Sequence, residues 1–372
     1  MKKLTAMIGR VFINADKLLL LVVLGVSALS ITLLCGLASA GFVQWRVVEV
    51  QGIAVGLGTV GALFASAFDP DDLARLWKLY MPPILLMMIL TYFFGTGREG
   101  SDNISWLDIG FISIQPSEFL KIGFIMTFAL HLSRVHDELD RPKNMMLVLC
   151  HGALPVLLVL LQSDDGVTLI MAGIVCAMLF MAGFSRKLIA AGVAALVVGL
   201  PVIWFGVLSD FQRQRFMVVF NPNLDPQGMG YQQLRGLTAM GSGQVFGNGI
   251  FNDSHIYVPE NYNDFIFTFL GESLGFVGCF LLLVALAVIC GRILQTGILS
   301  KSYTGKYICV GVFAMIAIQS VINISMCLMI MPVIGVTLPL MSAGGSSVLS
   351  TYAGIGLVLC VYSTNNKNMF SN

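Results

Sequence analysis

Ionisable residues make up 11% of this 372-residue chain, so those inside or beside apolar runs are the first places to look for chemistry. In "VPENYNDFIFTFLGES", residues 258–273, a polar stretch holding Glu260 and Asp264 runs straight into apolar sequence. A carboxylate at such an entrance can cap the helix by accepting from its unpaired N–H groups, or serve as a general base on a hydroxyl at the membrane surface. Proximity to the helix N-terminus would lower its pKa, while desolvation would raise it. Glu272 lies further along, close to the same helical face. A buried carboxylate needs a partner or a proton, which points to a polar cavity behind Asp264.

Three more segments combine charge with apolar surroundings. In "QPSEFLKIGF", Pro116 suits a first helical turn, and Glu118 and Lys121 then share one helical face. They form either a self-satisfied pair that fixes packing or a charged cavity wall that offers Lys121 to an anionic headgroup; intramembrane ionisable groups are functional candidates by default. In "LQSDDGVTLI", Asp164 and Asp165 precede a helix starting near Val167. Capping explains one aspartate, and the pair suggests cation or sugar binding on the outer face. In "FQRQRF", Arg213 and Arg215 share a face if the segment is extended. Arginine's planar fork suits phosphate, and anchoring to lipid headgroups is the plainer role.

The elements that must position these groups are membrane helices. Hydrophobic residues reach 57%, and mean hydropathy is +0.86, whereas an ordinary soluble domain has about 25% charged residues. A spanning helix needs roughly 20 apolar residues, and the chain supplies runs near 17–40, 47–67, 79–95, 115–134, 144–162, 167–184, 187–207, 264–290, 307–330 and 345–363. The fold class is therefore an all-α polytopic membrane protein with ten transmembrane helices. Residues 208–263 form a large extracellular loop between the seventh and eighth, rich in glycine and turn formers ("MGSGQVFGNG", "FNPNLDPQGMGYQQLRG"). Connections this long are generally functional or disordered. In "MPVIGVTLPLMSAGGSSVLSTYAG", prolines and Gly335, Gly344 and Gly345 interrupt apolar sequence. Broken backbone at membrane depth is tolerated only when buried in protein or lining a cavity; a loop with a small-residue packing face is the alternative.

Orientation follows from the basic residues. Placing the N-terminus in the cytoplasm leaves only Arg46, Arg98, Arg213, Arg215 and Arg235 outside, in line with the positive-inside rule, and puts both termini in the cytoplasm. "LASA" resembles a cleavage site, but Leu18–Ala40 is long enough to span and further spans follow, so an uncleaved first helix is expected. The net charge of +1 gives no sign of a nucleic-acid partner. The eight cysteines lie in or beside apolar runs without CxxC or histidine spacing, and read as small buried hydrophobes.

Taken in order, "QPSEFLK", "FNPNLDPQGMGYQ", "GSGQVFGNG", "VPENYNDFIFTFLGESLGFVG" and "MPVIGVTLPLMSAGGSS" resemble the SEDS family (shape, elongation, division and sporulation) along essentially the whole chain. The resemblance implies polymerisation of lipid II, the undecaprenyl-diphosphate-linked precursor of peptidoglycan, on the outer face of the bacterial cytoplasmic membrane, with a class B penicillin-binding protein as partner among the membrane lipids. It also implies Asp264 as the catalytic residue, and it carries functional weight to Glu118, Lys121, Gln162, Asp164 and Gly166. The chain departs from the family in four places. "QSDDG" stands for "QPDLG", Ser105 replaces a basic residue before Trp106, "ENYND" stands for "EAHTD", and Ala343 replaces a common tyrosine. The lost histidine argues against an essential imidazole.

Transfer from a diphosphate donor needs a base for the acceptor hydroxyl and stabilisation of the leaving diphosphate. Asp264 is placed for the first; Lys121, Arg213 and Arg215 are candidates for the second, alone or with a divalent cation (Mg or Mn). Asp164 and Glu260 join the substrate-binding set, and no organic cofactor is needed. An α donor giving a β product means inversion, so one base suffices. Two other readings remain, a lipid II flippase and a non-catalytic scaffold for a transpeptidase. The short termini fit a RodA-type member better than an FtsW-type one.

Overall fold

The computed structural model describes residues 15–97, 104–108, 110, 113–184, 190, 192, 194, 197–199, 201–208, 210–225 and 228–369. Its helices are α1 Lys17–Ser39, α2 Trp45–Ala65, the short α3 Pro70–Arg75, α4 Trp77–Phe94, α5 Pro116–Arg134, α6 Pro142–Leu160 and α7 Asp165–Met181. They continue with α8 Asp210–Phe220, α9 Met229–Ser242, α10 Ile266–Ile298, α11 Tyr303–Cys327 and α12 Gly345–Met369. Two short strands, β1 Leu107–Asp108 and β2 Ser113–Ile114, pair antiparallel just before α5.

Among the described residues, seven helices are long and apolar enough to cross a membrane: α1, α2, α4, α6, α10, α11 and Gly345–Asn366 of α12. The chain is thus an all-α, multi-pass membrane protein. Helix α7 is apolar but shorter, and α5 carries the Glu118–Lys121 pair within its first turns. Much of the span expected at 187–207 lies outside the described residues; at its end, Ile203–Val207 forms a π-helical turn.

In lipid, apolar surface gives helices no reason to associate, so close packing by small residues and buried polar contacts decides the arrangement. Helix α2 packs on α12 through Gly58, where a Cβ would come within 2.7 Å of the Tyr352 ring, and through Gly356, which would meet Ala62 at 2.8 Å. The Tyr352 hydroxyl then pairs with Ser27 of α1 at 2.8 Å. Helices α5, α11 and α12 are largely enclosed, whereas α2, α4 and α6 turn most of their apolar surface outward.

The connection at 208–263 carries helix among its described residues, with α8, a 3₁₀ turn at Pro222–Leu224 and α9. Its glycines and amides read as turn formers, yet α9 has an inner side built from Gln233 and Ala239. Gln233 donates to the Met326 and Met331 carbonyls at 3.3 and 3.0 Å, securing α9 to the end of α11.

Helix α10 is broken at Gly275, whose φ of 66° and ψ of −162° suit glycine alone. A break exposes carbonyls on one side and N–H groups on the other. The glycine-rich stretch after α9 takes both sets. Asn248 and Gly249 N–H donate to the Glu272 and Ser273 carbonyls at 2.9 and 3.0 Å, and Phe276 and Val277 N–H donate to the Gln244 and Val245 carbonyls at 2.9 and 3.1 Å. The backbones approach so closely that a Cβ on Gly275 would lie 2.5 Å from Gly247 N.

Candidate active site

The irregular stretch after α11 organises the site, because four successive residues meet α7, Asp264 and α11. Ile334 and Val336 pack on the start of α7, where a Cβ on Gly166 would sit 2.8 Å from the Ile334 carbonyl oxygen. Gly335, at φ +69°, faces Asp264, and a Cβ there would lie 3.7 Å from Asp264 Oδ2. The Val336 carbonyl accepts from Asn323 Nδ2 at 2.6 Å. Thr337 accepts from Gln319 Nε2 through both its carbonyl and hydroxyl oxygens, at 3.1 and 3.0 Å, and its hydroxyl pairs with Ser347 at 2.8 Å.

Asp264 is 4% exposed. Its carbonyl accepts from Asn323 Nδ2 at 2.8 Å and from the Cys327 thiol at 3.5 Å. On either side of it in the fold, Ser342 Oγ donates to the Asn263 carbonyl at 2.6 Å and Ala343 N–H to the Tyr262 carbonyl at 2.9 Å. The capping expectation is corrected here. Helix α10 starts at Ile266, its N-cap is Phe265, and no side chain caps it. Glu260 works through its backbone: at φ 56° its carbonyl accepts from the N–H groups of Asn263 and Phe265, closing the turn that leads to Asp264.

Glu118 and Lys121 form a fully interior pair at 2.9 Å. Lys121 Nζ also donates to Gln319 Oε1 at 3.1 Å, and Glu118 Oε2 accepts from Ser350 at 2.6 Å. With Lys121 at 0% exposure, it is not offered to a headgroup; the pair joins α5, α11 and α12. The reason is local: placed within a packed interior, a cation is held only by paired and hydrogen-bonded partners.

Asp164 caps α7, accepting from Val167 N–H at 3.0 Å and from Gln115 Nε2 at 2.9 Å. Burial pushes its carboxyl above the usual carboxylate range, and those two hydrogen bonds oppose the shift. Asp165 turns outward to α8, where Gln212 Nε2 donates to both its oxygens at 3.0 Å and Arg215 lies 4.0 Å away. These two carboxylates are spent on separate partners, and among the described residues no group of three or more His, Cys, Asp or Glu could hold a metal.

The expectation that Arg213 and Arg215 share a face is also corrected. They lie on helix α8, where positions two apart diverge by about 200°. Arg213 donates to the Leu208 carbonyl at 3.2 and 3.0 Å and sits 3.3 Å from Asp210, while Arg215 reaches Asp165. Glu272 is turned to the segment before Asp264. It accepts from Ile256 N–H at 2.7 Å and lies 3.4 Å from His255 Nδ1, pinning the chain between α9 and α10.

The structure thus gathers Asp264, Asp164, Glu118 and Lys121 around residues 334–337 and leaves Arg213, Arg215 and Glu272 with other partners. Sequence reasoning missed Gln319 and Asn323. Their signal was present: polar residues at i and i+4 in the apolar run "AIQSVINIS", followed by Cys327 at the next i+4.

Residues 11–367 match the cell cycle protein family named for FtsW, RodA and SpoVE. The peptidoglycan glycosyltransferase MrdB of Escherichia coli (strain K12) is 32% identical over 292 residues, covering 77% of this chain and 78% of that protein. A chain solved in work on the structural coordination of polymerization and crosslinking by a peptidoglycan synthase complex superposes with a TM-score of 0.77 at 28% identity, covering 94% of this chain and 98% of that one. The rod shape determining protein RodA of Thermus thermophilus gives a TM-score of 0.68 at 26% identity, covering 94% and 96%. With a family match along nearly its full length and an interior built around the residues that carry the likeness, the chain belongs to the FtsW, RodA and SpoVE family.

Proposed function

We propose that this chain is a peptidoglycan glycosyltransferase that polymerises lipid II by inverting transfer, with Asp264 as the general base. The observation that carries this reading is the state of Asp264. Its main chain is held by Asn323, its side chain faces the Cβ-less Gly335, and it is not consumed in capping α10. Asp264 takes the proton from the acceptor sugar hydroxyl, whose oxygen attacks the anomeric carbon of the donor as the undecaprenyl-diphosphate leaves from the opposite side. Arg213 and Arg215, on different sides of α8 and outside the interior cluster, are separate candidates for contact with the departing diphosphate. Asp164 and Glu260 shape the substrate-binding side of the site, Asp164 as the buried α7 cap and Glu260 through the turn that leads to Asp264. Lys121 and Glu118 serve from within the bundle, by holding residues 334–337 through Gln319.

The remaining parts of this reading are the setting. Residues 1–372 form one domain in the bacterial cytoplasmic membrane, with both termini cytoplasmic and the catalytic face extracytoplasmic, beside a class B penicillin-binding protein that crosslinks the product. The test is Asp264→Asn in purified protein supplied with lipid II. General base catalysis contributes about 10²–10⁴-fold, so polymerisation should fall by about that factor while thermal unfolding is little changed. Near-normal polymerisation by this variant would overturn the assignment.

A further inference from the structure

We infer that Asn323 is a positioning residue for Asp264, clamping the main chain that carries the carboxylate to the turn that faces it. The inference rests on the general-base reading of Asp264. Asn323 is fully buried on α11, and its one amide nitrogen donates to two carbonyls from distant parts of the chain, Asp264 at 2.8 Å and Val336 at 2.6 Å. An Asn NH₂ group has two hydrogens, and both are used here. Its carbonyl oxygen lies 3.9 Å from the Cys327 thiol, which also reaches the Asp264 carbonyl.

The clamp continues along one helical face. One turn before Asn323, Gln319 donates to Thr337 and accepts from Lys121, which is paired with Glu118. From Glu118 and Lys121 through Gln319, Thr337, Val336 and Asn323 to Asp264 the contacts are continuous, and only Thr337 is half-buried rather than buried. A buried polar group in a membrane interior is retained at a cost, and Asn323 spends both of its donors on main chain. The consequence is positional: with the Asp264 backbone and residue 336 tied to the same amide, the carboxylate keeps its place opposite Gly335.

The experiment uses the full chain in detergent or proteoliposomes with lipid II, normalised to folded protein. Asn323→Leu removes both donors, and Asn323→Ser keeps one donor and leaves room for water. Misplacing a reacting group by about 1 Å can cost about 100-fold in rate, so kcat should fall by about 10–100-fold with little change in KM. Unchanged kcat in either folded variant would overturn the inference. So would failure of both variants to fold, which would assign Asn323 to stability alone. Asp264→Asn, run in parallel, separates the two claims. If it keeps activity, the general-base reading fails; if it loses activity while the Asn323 variants do not, only the positioning role fails.

Discussion

Two irregular points of backbone, at Gly275 within α10 and at Gly335 in the stretch between α11 and α12, share a positive φ and differ in what holds them. At Gly275 the freed groups of α10 are taken by main chain alone, from Gln244, Val245, Asn248 and Gly249. At Gly335 the flanking backbone is held by side chains: Asn323 on Val336 and Gln319 on Thr337. A break sealed by backbone depends on glycine and little else, so it serves as scaffold. One sealed by side chains ties its shape to ionisable groups on other helices, and Asp264, Asp164 and the Glu118–Lys121 pair gather there. The comparison separates a structural interruption of a helix from an irregular stretch that builds a site.

Three substitutions test that contrast. Removing one partner of a buried ion pair costs about 3–5 kcal/mol, so Lys121→Met should give the largest loss of stability, read by thermal unfolding. Polymerisation per folded molecule should fall as well, because Gln319, which holds Thr337, loses its Lys121 donor; unchanged specific activity would detach the pair from the site. Gly275→Ala forces a side chain into a glycine-only backbone region and against Val245 and Gly247, a cost of about 3 kcal/mol. It should lower the unfolding temperature and leave the kcat of the folded fraction near wild type. A selective loss of kcat would erase the distinction between the breaks. Gly335→Ala should be mildest in stability, about 1–2 kcal/mol for the left-handed backbone, since the new methyl would make ordinary contact with Asp264. Its polymerisation per folded molecule should nevertheless drop further than that of Gly275→Ala.

Much of the architecture was legible because lipid imposes length and polarity on every span. The apolar runs beginning near residues 17, 47, 79, 144, 307 and 345 became helices α1, α2, α4, α6, α11 and α12, with ends displaced by a few residues. Asp164 as a cap and Glu118 with Lys121 as an i,i+3 pair were likewise local facts, and helical geometry brought them about. The stretch at 208–263 was less legible. Its glycines signalled turns, whereas α8 and α9 gain stability from contacts with α7 and α11 that lie far away in sequence. Arg213 and Arg215 were misplaced for the same reason, since their relative facing depends on whether that segment is helical.

The sequence by itself determined that this is an all-α membrane protein, which segments are apolar enough to be buried or lipid-facing, and which few ionisable residues enter them. Those properties follow from the cost of exposing backbone and charge to hydrocarbon, which every residue meets locally. Tertiary structure alone decided that Asp264 does not cap α10, that Glu272 pins a loop, and that Asn323 ties Asp264 to Val336. Those outcomes depend on hydrogen bonds between residues far apart in the chain, whose distances and angles are set only once the helices have packed.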